Sequence, residues 1–168
     1  MDQAKRNVLL ARYAAAVHAV GVGLDHLSIE ELDVRPIEKA WSPREVVHHL
    51  ADAEMHEGVN LRRMLVERTP VLIVWDPEHY AERLHYNRPI EVSLEAFNAV
   101  ANANLELLRS LTDDQWRRDG NQQRPWTLTV EAWLDDHVTH LHNRLMQILN
   151  APTGGRVISD HEHEARHK

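Results

Sequence analysis

The chain has 168 residues, 43% hydrophobic and 27% charged, an ordinary globular composition that excludes a disordered polymer and suffices to bury a core without staples. It contains no cysteine, so disulfides, thiolate metal ligands and a cysteine nucleophile are excluded, and any metal must be held by nitrogen or oxygen. Nineteen Lys+Arg against 26 Asp+Glu give a net charge of -7, which disfavours phosphate-rich surfaces and leaves neither nucleic acid nor membrane as an expected partner.

The opening residues, MDQAKRNVLLARYAAAV, lack the apolar core and cleavage pattern of a signal peptide. No run approaches the roughly 18 uncharged apolar residues of a membrane span, and a cytoplasmic protein is expected. Leu9, Tyr13, Ala16 and Val20 then recur at helical spacing and form one apolar stripe, which Gly21 and Gly23 weaken, so this helix should fray near Gly23. A second helix opens at Trp41-Ser42-Pro43-Arg44-Glu45, where Ser42 is the N-cap, Pro43 occupies the first helical position and Glu45 completes a capping box. It carries Val46, Val47, Leu50, Ala53, Leu61, Met64 and Leu65 to a stop at Thr69-Pro70.

Residues 70–89 form a linker too long to be structureless inside a compact domain. Its Val71–Val74 run has strand character but no evident strand partner, so packing across the bundle mouth is expected. A third helix begins near Ser93, places Leu94, Phe97, Val100, Ala101, Leu105 and Leu108 on one side, and ends by Leu111. A fourth begins at Thr127 after Pro125-Trp126, runs through Leu134, Val138, Leu141, Leu145, Ile148 and Leu149, and stops before Pro152. The expected organisation is one helical domain over residues 1–152 and a polar tail over 153–168 that contains His161, His163 and His167.

The two halves echo each other. The run Leu27 to Leu32, then Trp41-Ser42 opening a helix with His49-Leu50, is matched by Leu111 to Trp116, then Trp126-Thr127 opening a helix with His140-Leu141. Two helix-turn-helix units about an approximate twofold axis account for this pattern.

Thirteen histidines are the compositional oddity. On the second helix His48 projects roughly opposite the apolar stripe, whereas His49 lies at its edge and is the candidate site residue. Asp52, Glu54 and His56 are expected on the solvated side, Arg62 and Arg63 as exposed charge, and Trp41, Trp126 and Trp133 as core or helix-start packing. On the fourth helix Trp133, His137, His140 and Arg144 stack along one flank. Two histidines three apart can reach one ion, and an imidazole from a neighbouring helix would complete a set that suits zinc, nickel or another divalent metal.

The segment Trp41-Ser42-Pro43-Arg44-Glu45-Val46-Val47-His48-His49-Leu50-Ala51-Asp52-Ala53-Glu54 resembles the second helix of the DinB/YfiT-like metalloenzymes. His140-Leu141 through Gln147-Ile148 resembles the end of their fourth helix, and Pro89-Ile90-Glu91-Val92-Ser93-Leu94 the start of the third in the YfiT branch. The resemblance covers residues 5–150 and implies an all-α, up-down-up-down four-helix bundle with short extra helices in its loops, often a homodimer. It implies a divalent ion held by three histidines, one on the second helix and two spaced by four on the last. Members with assigned chemistry are mostly thiol-dependent transferases or isomerases, and the YfiT branch is described as hydrolytic.

By this resemblance His49 and His140 fall on the first and second ligand positions, and Arg144 stands where the third histidine belongs. A guanidinium cannot ligate a metal. The third ligand is then His137, one turn earlier, or the Asp136 carboxylate, with Arg144 free to grip a carboxylate or phosphate of a small-molecule substrate. The expected function is a metal-dependent thiol transferase or hydrolase. The alternatives are a metal-free bundle that binds small anions through Arg144, and a structural dimerisation bundle.

Overall fold

In the computed structural model, which describes residues 2–37, 40–121 and 127–151, the Asp2 carboxylate caps the first helix by accepting from the Lys5 amide. Helix α1 (Gln3–Leu24) follows and buries Leu9, Tyr13, Ala16 and Val20, the stripe read from the sequence. Contrary to the sequence expectation, α1 is long and apolar enough to cross a membrane by length and composition. In the fold its apolar stripe instead packs on other helices.

A 3-10 turn at Glu31–Asp33 leads to α2 (Pro43–Val66), where Ser42 and Glu45 form the expected capping box, with the Ser42 amide donating to Glu45 at 2.8 Å and the Glu45 amide to the Ser42 hydroxyl at 3.3 Å. The linker holds α3 (Pro77–Arg83), capped by Asp76, and then α4 (Glu91–Arg109) begins. Thr112 and Gln115 close a second capping box around α5 (Asp113–Trp116).

Two expectations are corrected here. Thr127 does not open the last helix: β1 (Asp119–Asn121) pairs antiparallel with β2 (Thr127–Thr129), and α6 (Val130–Leu149) starts one residue later with Thr129 as its N-cap. The Val71–Val74 run does find a strand partner. Val71 bridges Asn121 in parallel, the Leu72 amide donates to the Asn121 carbonyl at 2.8 Å, and the Asn121 amide to the Pro70 carbonyl at 2.9 Å. Sequence spacing missed this because the partner is itself only three residues long. Trp126 and the tail with its three histidines lie outside the described residues.

The long helices pair as α1 with α6 and α2 with α4, with further interfaces between α2 and α6 and between α1 and α4. Helices consecutive in the chain, α1 with α2 and α4 with α6, share no extensive interface among the described residues and lie diagonally. Exchanging α1 with α4 and α2 with α6 leaves this pairing unchanged, which is what the two sequence echoes require of a twofold axis. The core joins Tyr13, Val47, Leu50, Phe97, Leu108, Leu134 and Leu141, with Trp133 at its edge beside the site.

Candidate functional site

Where α2 meets α6, His49 and His140 bring their Nε2 atoms to 2.9 Å across the interface. They wall a cavity of about 240 Å³, with Trp75, Trp133, Glu57 and His137 among its other lining residues. His49 is 1% exposed, and its ring lies between Trp41, edge-on at 4.7 Å, and Trp75, stacked at 5.4 Å. Trp75 comes from the 70–89 linker, which Asn60 fastens down: its Oδ1 accepts from the Ile73 amide at 2.7 Å and its Nδ2 donates to the Ile73 carbonyl at 3.0 Å. Trp75 also stacks on His56 at 4.8 Å, so His56 supports the cavity roof.

Arg144, one turn after His140, lays its guanidinium over Trp41 at 4.7 Å and donates from Nε to His140 Nε2 at 3.3 Å and from Nη1 to Gln147 Oε1 at 3.1 Å. No carboxylate pairs with it among the described residues, and burial lowers its pKa. Guanidinium N–H groups only donate, so His140 Nε2 is an acceptor, and the His49 Nε2–H directs its proton to the same lone pair. His49 Nδ1 is then a buried acceptor, and it has no partner. Burial first, then the neighbouring His140 and Arg144, pushes the His49 pKa down to about 2. Burial, then Arg144 and His137, brings His140 to about 4. Both rings are neutral near pH 7.

Nitrogen ligands sit about 2.0–2.1 Å from zinc, and two of them at the tetrahedral angle lie roughly 3.3 Å apart. At 2.9 Å the His49 and His140 nitrogens are closer than that and share a proton, so an ion between them requires the rings to part by a few tenths of an ångström and the His49 proton to move to Nδ1, the buried nitrogen that has no partner. A third protein ligand is not supplied: among the described residues no three His, Asp or Glu side chains converge on a common point. His137 gives its Nε2 to Glu54 Oε1 at 2.8 Å, and Asp136 is exposed at the cavity rim. Arg144 donates to the very lone pair an ion would take from His140, so that hydrogen bond and an ion at His140 exclude each other.

Glu54 was read as solvated and is instead 1% exposed. Its Oε2 accepts from the Tyr13 hydroxyl at 2.6 Å and from Asn104 Nδ2 at 3.1 Å, so with His137 each of the four long helices reaches this carboxylate or carries it. The signal was Asn104, a polar residue inside the apolar side of α4. His48, expected to point away from the core, is also fully buried. Its Nε2–H donates to the Arg88 carbonyl at 2.9 Å and its Nδ1 meets the Ser93 hydroxyl at 2.8 Å, because the segment before α4 folds over this side of α2. Asp52 accepts from the Tyr86 hydroxyl at 2.5 Å. Arg62 is exposed, as expected, though its Nη1 reaches Asn104 Oδ1 at 2.7 Å.

The chain is thus a four-helix bundle whose consecutive long helices lie diagonally, and the packed pair α2 and α6 bring one imidazole each to a shared cavity. The DinB superfamily pattern matches residues 12–151, and the chain belongs to that superfamily. It is 30% identical over 122 residues to a protein of Oceanobacillus iheyensis named "putative metal-dependent hydrolase", a match covering 73% of this chain and 71% of that one. A protein of Halalkalibacterium halodurans with the same name is 28% identical over 138 residues, covering 78% and 79%. YfiT of Bacillus subtilis, also so named, is 30% identical over 121 residues, covering 70% and 67%. The solved structure of YfiT, described as having "an unusual four-helix bundle topology", superposes with a TM-score of 0.82 at 23% identity over 88% of this chain and 86% of that one.

Proposed function

We propose that the chain is a metal-dependent hydrolase acting on a small substrate that carries an anionic group, with the His49/His140 cavity as its reaction centre. The observation that carries this reading is the meeting of the two Nε2 atoms at 2.9 Å on the cavity wall. The names of the relatives support the reaction class. His49 and His140 would hold the ion, zinc or nickel by the preference of imidazole for such metals. When bound, it supplies a Lewis acid at the cavity.

The chain's own residues do the rest. Trp75, Trp133, Leu128 and Pro77 enclose the apolar part of a small substrate and exclude water. Arg144, without a carboxylate partner and held flat by Trp41, takes the substrate's carboxylate or phosphate through its N–H fork. A cavity of about 240 Å³ limits that substrate to a small molecule.

Arg144 also favours a second reading, a metal-free site in which the guanidinium replaces the ion's charge and the bundle binds small anions. Thermal unfolding separates the two. On the first reading, zinc or nickel raises the Tm of the wild-type chain and EDTA reverses it, and saturation to 100 times the Kd adds about 2.7 kcal/mol. Arg144→His, which frees His140 Nε2 and supplies a third imidazole, binds metal more tightly than wild type. A wild-type chain indifferent to both metals, yet stabilised by phosphate or acetate in EDTA, overturns the first reading and establishes the second.

A further inference from the structure

We propose that His137, oriented by Glu54, is a general acid that delivers a proton into the cavity and that Glu54 is its positioning residue. The inference rests on the hydrolase reading above, but on different residues from the ion's candidate holders.

The geometry starts from Glu54, whose Oε1 accepts from His137 Nε2–H at 2.8 Å while Oε2 accepts from the Tyr13 hydroxyl and the Asn104 amide. This fixes which nitrogen of His137 faces the carboxylate. The ring is clamped as well, stacked on Trp133 at 5.1 Å with 8° between planes and met edge-on by Tyr13 at 5.2 Å. Its remaining nitrogen, Nδ1, has no hydrogen-bond partner among the described residues, yet it is not among the fully buried polar atoms left unpaired. His137 is 5% exposed and lines the cavity that His49 and His140 wall, and with Nε2 committed to Glu54 the nitrogen left to serve that cavity is Nδ1. A buried carboxylate on one imidazole nitrogen with the other facing a cavity is the base–orienter arrangement of acid–base catalysis.

The charged and titratable groups facing His137 are Tyr13 from α1, Glu54 and Glu57 from α2, and His140 on α6 itself, while α4 contributes the neutral Asn104 through Glu54. Burial opposes the charged ring, but the Glu54 carboxylate outweighs it and raises the His137 pKa. The carboxylate thus favours the charged, proton-carrying form of the ring, the form a general acid needs. In hydrolysis of an ester, water adds to the carbonyl carbon, the carbon–oxygen bond to the leaving group breaks, and Nδ1–H protonates the departing oxygen. The proton lost by the attacking water restores the imidazolium, so the products are acid and alcohol with no net change in the protein.

The test uses the full chain as purified and two simple esters, phenyl acetate and 4-nitrophenyl acetate, whose leaving groups differ in their need for a proton. His137→Gln is expected to slow phenyl acetate hydrolysis by about 100-fold or more, the range of general acid catalysis, and 4-nitrophenyl acetate by less than about 10-fold. Glu54→Gln should shift the alkaline limb of the kcat/KM profile to lower pH. Equal losses on both esters with an unmoved limb reduce the pair to a structural role and overturn the proposal. Carbethoxylation of the wild-type chain by diethyl pyrocarbonate, mapped by peptide mass, tests the geometry without any variant having to fold. Because the reagent attacks only an uncharged ring, the modification is run as a pH series: His137 modified as pH rises supports a cavity-facing Nδ1, and His137 unmodified at every pH beside a modified His140 overturns it. If neither ester is cleaved while His137 is modified, the cavity-facing geometry stands and the general-acid role falls, whereas the hydrolase reading is decided by the metal and anion titrations above.

Discussion

His49 and His140 both resist protonation in the fold, and the sign of the consequence follows from comparison with the unfolded chain, where each ring titrates at 6.5. Below that pH the unfolded state binds protons that the folded state refuses, so stability falls as pH falls. The loss continues until the folded rings titrate, near 4 for His140 and near 2 for His49. Each ring contributes a slope of about 1.4 kcal/mol per pH unit in that window. Urea unfolding in EDTA between about pH 6.5 and 5 should show this decline, to which His48, also depressed by burial, adds, and His49→Phe should lower the slope by about 1.4 kcal/mol per pH unit. The phenyl ring also removes the buried, partnerless Nδ1, so this variant is expected to match or exceed wild-type stability at pH 5. An unchanged slope would mean that His49 is already solvated.

At the scale of elements, the cavity roof depends on one close approach. A Cβ on Gly120 would lie 2.6 Å from Leu72 Cδ2 and 2.8 Å from its Cγ, so any larger residue here forces the buried Leu72 side chain to move. Gly120→Ala is expected to cost about 1–3 kcal/mol. Its hydrogen-exchange signature is faster exchange at the Leu72, Ile73 and Asn121 amides, with a shift in Trp75 fluorescence. Exchange unchanged at those amides would show that the linker is held by Asn60 alone. This strap was illegible in the sequence because a three-residue strand has no period to detect, whereas Ser42-Pro43-Arg44-Glu45 announced α2 through local chemistry that needs no partner. His49 and His140 were legible for a similar reason: each sits at the edge of a long apolar stripe. Glu54 and His48 were misread because a helical wheel shows one buried face, while α2 touches α4, α6 and the segment before α4.

At the scale of the molecule, the approximate twofold exchange sends α2 onto α6, so the matched histidines of the two sequence echoes meet at the interface that the axis maps onto itself. The exchange thus pairs two imidazoles and supplies no third, and Arg144, four residues after His140, answers to Ala53, four residues after His49. The Glu54 cluster has a different consequence, and it concerns time. Its bonds draw on α1, α2, α4 and α6 together, so the set is incomplete until the last helix docks. Removing one bond should then leave the rate of folding almost untouched and accelerate unfolding. For Tyr13→Phe, a loss of about 1–2 kcal/mol corresponds to roughly 5- to 30-fold faster unfolding. A chevron in which the refolding arm moves instead would place Tyr13 and Glu54 together in the folding nucleus.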